Sequence, residues 1–199
     1  MESPPLAPPG AGLPALELLF SRLLFLAARL VDSRDSALRR FTTEAERIRS
    51  LVVLLDGDTG SRPVLVPRLL GLEDSSRCWS PFMVVEHLVI VDANMFRIMS
   101  DLVAGRLHPE EARIQDFKPA SSAGGDALVA FEQLVGRFAA SVPRWPQLHT
   151  ACRHAHPWFG ALDAHGWLCL AGLHHRIHRR QLERILATTN AAGPIASGK

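Results

Sequence analysis

Residues 79–105, WSPFMVVEHLVIVDANMFRIMSDLVAG, carry the signals of a long helix with two defined ends. Ser80 can accept a hydrogen bond from a free amide of the first turn. Pro81 then occupies the first helical position, where its missing N–H costs nothing. Gly105 provides the stop, because glycine readily adopts the left-handed backbone that commonly ends a helix. The stretch therefore predicts a helix that begins at Pro81 and ends just before Gly105.

Four more segments are predicted to be helical, and together they decide the fold class. In the second of them, apolar residues recur at intervals of three and four, with polar residues on the other side. No stretch alternates convincingly with the period of two that a half-buried strand requires, and no Asn-Gly hairpin signal is present. We therefore expect an all-α protein, a four-helix bundle with an additional N-terminal helix. The four segments are residues 13–31, Ser33 to about Leu55, Asp126 to about Pro143 and Asp163 to about Leu186.

Composition along the chain predicts the limits of the folded part. Residues 1–12 are rich in proline and glycine and should form a disordered lead, while residues 189–199 should form a flexible tail. Residues 13–188 are expected to fold as one helical-bundle domain. The apolar run at 13–31 contains Glu17 and two arginines, so it is a poor signal peptide and a poor membrane span.

Charge and cysteine content narrow the classes of function. The formal net charge is only +2, which gives no strong attraction to nucleic acid or to an anionic membrane. Cys78, Cys152 and Cys169 form no Cys-x-x-Cys pair and are odd in number, so free thiols in a reducing compartment are expected. We therefore expect a cytoplasmic protein with no nucleic-acid partner and no membrane partner.

The last predicted helix contains LHHRIHRRQL at residues 173–182. His174 and His178 are four residues apart, which places them one turn apart on the same face, near enough to share a metal ion. That face is otherwise apolar, so the pair is expected to point into the bundle. His175 is rotated by about 100° and is expected to point outward with the arginines of the segment, which should be solvated. These arginines are Arg176, Arg179 and Arg180.

His87 is the best candidate for a third inward histidine, because its helix face is also mostly apolar. Taken singly, a histidine in such a position is either a metal ligand or a hydrogen-bonded core residue. The pair of His174 and His178 could likewise consist of metal ligands or of hydrogen-bonded core residues, or it could lie on the surface. Three inward histidines on two helices favour a metal site, since facing helices of a bundle are where such sites are built.

Short motifs in this order and spacing resemble the DinB-like superfamily of four-helix bundles. WSPFMVVEHLVIVDA, residues 79–93, resembles the second bundle helix, in which a tryptophan and a serine precede a histidine and a leucine. In LHHRIHRRQL, the His-x-x-x-His pattern followed by Arg and Gln is similar to the last helix. HPWFGALDAHGW, residues 156–167, resembles a His-Pro-x-Phe-Gly-x-Leu segment of one branch. The resemblance covers roughly residues 33–188, and the apolar helix at 13–31 lies outside it. The matching positions are Trp79, Ser80, His87, Leu88, His174, His178, Arg179 and Gln181.

The resemblance implies a divalent metal ion, namely zinc, nickel, iron or manganese, held by His87, His174 and His178. Three imidazoles would leave a coordination position open, as in catalytic sites. Some members of the superfamily are similar to thiol-dependent transferases or isomerases that use bacillithiol, mycothiol or glutathione, and many have no settled activity. A low-molecular-weight thiol that loses its proton at the open position would support S-transfer, and a water would support hydrolysis.

Three further polar residues are candidates for roles near the histidines. Asn94 lies two turns after His87, and Gln181 lies one turn after His178. Each of the two amides either orients an imidazole or makes an ordinary hydrogen bond within the bundle. His156 either lines the pocket and takes part in proton transfer, or serves as a cap or packing residue of its loop.

No convincing general base is found in the sequence. Asp92 and Glu86 are not on the face that carries His87, and no glycine-rich phosphate loop is present. Cys169 lies on the last helix but off the face of His174 and is expected to be a core thiol.

Three classes of function follow from these observations. The first is a metal-dependent enzyme that performs thiol transfer or hydrolysis on a small electrophile. The second is a non-catalytic metal-binding or stress-related interaction protein. The third, nucleic-acid binding through the last helix, is the weakest, because the net charge is small and the arginines lie on several faces. A homodimer is also expected, with residues 13–31 packing on their own bundle or on a partner rather than on a membrane.

Overall fold

The computed structural model of the protein describes residues 5–109 and 113–191. Residues 1–4 of the expected lead and 192–199 of the expected tail lie outside this range. The helical prediction is confirmed: four helices, α2, α4, α5 and α6, form the bundle, and α1 is an addition to it. The helices are α1 (Ala15–Val31), α2 (Arg34–Val52), α3 (Gly57–Ser61), α4 (Pro81–Val103), α5 (Asp126–Ser141) and α6 (Ala164–Ala191).

Side-chain caps and one glycine fix the ends of the bundle helices. Ser33 forms a capping box with Ser36 at the start of α2. The Ser80 hydroxyl accepts from the Met83 amide at the start of α4. Gly105, with φ of 73°, follows the end of the same helix. The Ser80 cap lies where the sequence predicts it, and both α2 and α4 start at the expected positions.

Two short antiparallel strand pairs were not predicted. β1 (Val64–Leu65) pairs with β2 (Cys78–Trp79), and β3 (His154–His156) pairs with β4 (Gly160–Leu162). Strands of two or three residues are too short to show an alternating pattern. Their effect is nevertheless large, because the first pair fixes Trp79 and the second fixes His156.

The apolar core falls into two clusters with a polar layer between them. One cluster includes Phe41, Met95 and Trp167, and the other includes Val84, Leu88 and Leu182. On α4 the gap between the clusters contains Asp92 and Asn94, and on α6 it contains His174, His175, His178 and Gln181. Buried polar groups need partners, so this layer is where the helices are joined by hydrogen bonds.

Helix α1 rests on the bundle through the apolar side chain of Phe25 and through several polar contacts. Phe25 is buried, with its ring centroid 4.7 Å from that of Phe159. Arg29 lies 3.4 Å from the carboxylate of Asp163. Among the described residues, no helix is both long enough and apolar enough to cross a membrane.

The described part of the expected lead has hydrogen bonds to the bundle. The Ala7 amide donates to Asp74 Oδ2 at 2.7 Å. The amides of Gly10 and Gly12 donate to Glu73 Oε1 at 2.8 and 3.3 Å. The segment is thus attached next to Glu73, a residue that lines the cavity described below.

Candidate metal centre

Helices α4 and α6 bring three histidine side chains to one point in the polar layer. His174 Nε2 lies 3.2 Å from His87 Nε2 and 3.1 Å from His178 Nε2. The ligand atoms of all three lie within 4.8 Å of one another. His178 is buried, while His87 and His174 keep partial exposure. The three histidines singled out by their spacing in the sequence are therefore neighbours in space.

Hydrogen bonds on the outer side of two rings fix their tautomers. His87 Nδ1 lies 2.6 Å from the Phe117 carbonyl oxygen, which can only accept, so Nδ1 carries the proton. His178 Nδ1 lies 2.8 Å from Gln181 Oε1. The Gln181 amide donates its Nε2–H to the Ser76 carbonyl at 2.6 Å, so its Oε1 must accept from His178. Both Nε2 atoms consequently present lone pairs to the centre.

These tautomers create a conflict that a cation would remove. His174 has a single proton on its neutral ring and can donate from Nε2 to only one of its two neighbours. At least one inward lone pair then has no donor. A tetrahedral zinc ion bound at 2.0–2.1 Å separates its nitrogen ligands by about 3.3 Å, close to the observed spacing. The donor set therefore fits a divalent metal ion.

Burial keeps the three imidazoles neutral, the form that binds metals. It lowers the pKa of His87 to about 4, against an opposing effect of the Phe117 carbonyl. Burial also lowers the pKa of His174 and His178 well below the usual value, and the neighbouring imidazoles add to the effect. At neutral pH no proton has to be displaced before a metal can bind.

The histidines open onto a cavity of about 360 Å³, a size in the range of small-molecule sites. Its walls come from α1, α4, α6 and the segments next to the two strand pairs. Most lining side chains are apolar, among them Phe25, Met95, Trp158 and Trp167. The side of the histidine centre that faces the cavity is thus open to a small molecule.

The fold resembles that of a solved structure titled "Crystal structure of TT2238, a four-helix bundle protein". The similarity has a TM-score of 0.55 and 22% sequence identity, and it covers 76% of this chain and 98% of that chain. At this identity the likeness concerns the fold alone. No protein-family model and no curated protein matches the sequence.

Two side chains beside the centre, Trp79 and Lys118, had no predicted role there. Trp79 stacks next to His178, with centroids 6.0 Å apart and planes at 9°. Lys118 Nζ lies 5.3 Å from the Trp79 ring and 2.8 Å from Glu73 Oε2. Lys118 also donates to the hydroxyls of Ser75 and Ser76. The resemblance covers Trp79, but no pattern placed Lys118 here, because it reaches the site from a loop.

The two amides proposed as supporting groups have different positions. Gln181 holds His178, as described above. Asn94 lines the cavity, but its Oδ1 accepts from Arg97 at 3.3 Å, and the Phe117 carbonyl takes the place beside His87. A main-chain carbonyl on a loop leaves no trace in sequence spacing.

His156 lies on β3 and lines the cavity. Its Nδ1 accepts from the Trp158 amide at 3.1 Å, so the neutral ring carries its proton on Nε2. Burial lowers the pKa of His156 to about 4, and it is therefore uncharged at pH 7. The expectation that it lies at the pocket agrees with this position, while a role in proton transfer stays a prediction.

His175 does not point outward as expected. It is fully buried, with its ring centroid 4.3 Å from that of Phe41 and 5.4 Å from that of Phe131. His175 Nε2 lies 2.6 Å from Asp92 Oδ2, and Asp92 is fully buried as well. The prediction was wrong because α6 is enclosed by the bundle on most of its circumference, not on one face only.

The arginines of α6 were also expected to be solvated, and one of them is not. Arg179 forms ion pairs with Glu44, a buried residue of α2, and with Glu183. Arg176 and Arg180 are exposed, as predicted. Cys169 is a buried free thiol, in agreement with the expectation of a core position.

A second group of candidate ligands lies at the start of α6. Side chains of His149, Asp163 and His165 have ligand atoms within 4.8 Å of one another. However, Asp163 already accepts from the Gly166 amide at 2.8 Å and from His149 at 3.2 Å, and it pairs with Arg29. Its carboxylate therefore serves as the helix cap, and the group is a useful control for the main centre.

Proposed function

We propose that the protein is a DinB-like metal-dependent enzyme that performs thiol transfer or hydrolysis on a small electrophilic substrate. The observation that carries this proposal is the convergence of three neutral imidazoles at the wall of a cavity. Two of them have tautomers fixed by Phe117 and Gln181. An arrangement that holds lone pairs together and leaves one side open suits catalysis better than structural metal binding.

His87, His174 and His178 would hold the ion. Three neutral nitrogen donors suit zinc, nickel, iron or manganese and do not suit calcium or magnesium, which prefer oxygen ligands. When bound, such an ion lowers the pKa of a coordinated water or low-molecular-weight thiol. The protein's own contribution is the orientation of the imidazoles and the exclusion of bulk water by the apolar walls of the cavity.

His156 is suited to donate a hydrogen bond to the substrate. Its proton is on Nε2 and its Nδ1 is occupied by the Trp158 amide. In S-transfer the S–H bond of the thiol breaks and its proton goes to solvent. The sulfur then bonds to the electrophilic carbon while the bond from that carbon to the leaving group breaks, and the leaving group departs with the electron pair. His156 would stabilise charge that develops on the substrate during this step, and it would not need to accept the proton itself.

The alternative is a metal-binding protein without catalysis. One observation favours it: among the described residues that line the cavity, Glu73 is the sole carboxylate, and it is paired with Lys118. No free carboxylate base therefore adjoins the histidines in this part of the chain. We propose a cytoplasmic location in either case, supported by the three free cysteines.

A thiol-consumption assay separates the two functions. The metal-loaded wild type is incubated with glutathione, bacillithiol or mycothiol and a panel of small electrophiles, and ester hydrolysis is followed in parallel. Turnover by wild type that is lost in His178→Ala and kept in His149→Ala supports the enzyme. Metal binding without any turnover of thiols or esters would support the non-catalytic alternative.

A further inference from the structure

The cavity beside the histidines combines apolar walls with an unusual placement of charge. Lys118 and Glu73 both line it, but they neutralise each other through a 2.8 Å ion pair. Arg176 and Arg180 also line it and are exposed. Among the described residues, neither of these two guanidinium groups has a hydrogen-bond or ion-pair partner. Their neighbour Arg179, by contrast, is bound to two glutamates.

The two arginines are a matched pair. They are four residues apart on α6, so both guanidinium groups can reach the same anionic group of a ligand. Arginine forks match the two oxygens of a carboxylate. Along the helix axis the arginines lie within about 3 Å of His178, but the turn of about 100° per residue places them roughly 160° around α6 from His174 and His178. An anionic group held by the arginines is thus separated from the histidine centre by a stretch of apolar wall, which includes Leu170, Leu173 and Ile177.

We propose that the cavity binds an amphipathic carboxylic acid of medium length. Its carboxylate pairs with Arg176 and Arg180, its apolar body lies along the α6 wall, and its other end approaches His87, His174 and His178. This inference rests on the proposed function in that it names the substrate class of the same site. It does not require a bound metal, because the arginines and the apolar wall are present without one.

Tryptophan fluorescence offers a direct binding assay, because Trp158 and Trp167 line the cavity. Octanoate is titrated against octanol and octyltrimethylammonium, which share its chain and differ in charge. We expect octanoate to bind at least roughly tenfold more tightly than either. The double variant R176Q/R180Q should lose that preference. Arg184→Gln, which removes an exposed arginine of α6 outside the cavity, is the matched control and should keep it.

Each titration is performed on metal-free and on metal-loaded protein. Arginine-dependent octanoate binding in protein that takes up no metal would support this proposal while the proposed function fails. Equal affinity for octanoate and octanol would overturn it. The proposal would also be overturned if octanoate bound only to metal-loaded protein and bound equally well to R176Q/R180Q. The carboxylate would then be bound to the metal ion and not to the arginines.

A separate observation concerns the outer face of α1, which is apolar and uncovered. Five leucines are spaced by three and four residues, the a and d positions of two heptads. Three more large apolar side chains widen the stripe to one side. All eight are between 51% and 85% exposed, which amounts to several hundred Å² of apolar surface, as large as functional patches of monomers. The leucines are Leu16, Leu19, Leu23, Leu26 and Leu30, and the others are Phe20, Leu24 and Val31.

The charged groups of α1 all have partners outside the helix. Glu17 accepts from the Gly71 amide at 2.7 Å and pairs with Arg68. Arg22 donates to the Trp158 carbonyl, and Arg29 pairs with Asp163. Helices that lie on membranes carry free cations along the edge of their apolar face, and α1 has none among its described residues. The heptad spacing and the absence of free cations beside the stripe favour a second copy of α1 as its partner.

We infer that two copies of the chain pair through α1, as an isologous contact of one leucine stripe with the other. A twofold arrangement needs no second surface and is the commonest form of self-association. Ser21 and Phe25 of the same helix line the cavity, as does Leu24 at the edge of the stripe, so the pairing would also hold this wall of the cavity in place.

Light scattering after size exclusion tests the pairing at micromolar concentration. Wild type should be a dimer, and the variant L19K/L26K should be a monomer with an unchanged circular dichroism spectrum. Val129→Lys changes an apolar residue of α5 that is 56% exposed, and it should remain dimeric. A monomeric wild type, or a dimeric L19K/L26K, would overturn the inference. Sedimentation of monomeric wild type with anionic phospholipid vesicles would assign the stripe to a membrane instead.

Discussion

At the scale of single residues, Gln181 is the group that determines how His178 meets the centre. It is fully buried and joins the His178 ring to the Ser76 carbonyl. Gln181→Met keeps the volume and removes both hydrogen bonds, so the His178 tautomer is no longer fixed. We expect the variant to bind zinc roughly 10- to 100-fold more weakly, as measured by competition with a chromophoric chelator.

Gln133→Met is the matched control, since Gln133 is exposed on α5. It should bind zinc as wild type does. Unchanged zinc affinity in Gln181→Met would show that zinc binding does not depend on the hydrogen bond from His178 to Gln181.

Only some residues of the centre could be predicted from the sequence. His87, His174 and His178 could be selected because spacing on a helix translates directly into a shared face. The partners of the rings could be found only in part: Gln181 obeys the same spacing, while the Phe117 carbonyl comes from a loop whose path depends on tertiary packing. His175 was misplaced because one apolar face was assumed for a helix that is buried on most sides.

At the scale of helices, Asp92 and His175 join α4 to α6 beside the three clustered histidines. Both side chains are fully buried, and burial raises the pKa of Asp92 against the opposing influence of His175. Asp92→Leu leaves His175 without its partner in the core. We expect a loss of about 3–5 kcal/mol in the free energy of unfolding, measured by urea denaturation.

The double variant D92L/H175F serves as the control. It replaces both polar groups by apolar ones next to Phe41 and Phe131, so it should be more stable than Asp92→Leu alone. A single variant within about 0.5 kcal/mol of wild type would contradict a structural role for the pair.

The starts of two helices were predicted well, while the end of α6 lies at Ala191, beyond the expected end near Leu186. The starts of α2 and α4 follow from Ser33 and Ser80, whose side chains act on amides of the adjacent turn. The two strand pairs could not be predicted, because two or three residues carry no periodicity. The position of α1 could not be derived either. Its apolar residues lie on several sides of the helix, and only some of them are buried against the bundle.

At the scale of the whole molecule, the neutral buried histidines make the stability of the metal-free protein depend on pH. The pKa of His87 and of His156 is about 4 in the folded protein, below the ordinary value of 6.5. The unfolded chain therefore binds more protons between these values. The free energy of unfolding should be fully retained above pH 6.5 and should fall as the pH decreases toward 4.

The variant His156→Gln isolates the contribution of one histidine to the pH dependence of stability. A separate measurement is needed because the raised pKa of Asp92 changes stability with pH in the opposite direction. Near pH 5, midway between the folded and ordinary pKa values of His156, the slope of the unfolding free energy against pH should be smaller by about 1.2 kcal/mol per pH unit than in wild type. Urea denaturation at a series of pH values provides the measurement. Identical slopes would show that His156 is not held neutral in the fold.

Elemental analysis of tag-free protein tests most directly whether His87, His174 and His178 hold a metal ion. The protein is stripped with chelator, dialysed against zinc and measured for bound metal per chain. We predict about one zinc ion in wild type and in His149→Ala, and less than roughly a tenth of that in His87→Ala and His178→Ala. A wild type that binds no zinc, nickel, iron or manganese, or full occupancy in both His87→Ala and His178→Ala, would contradict the account.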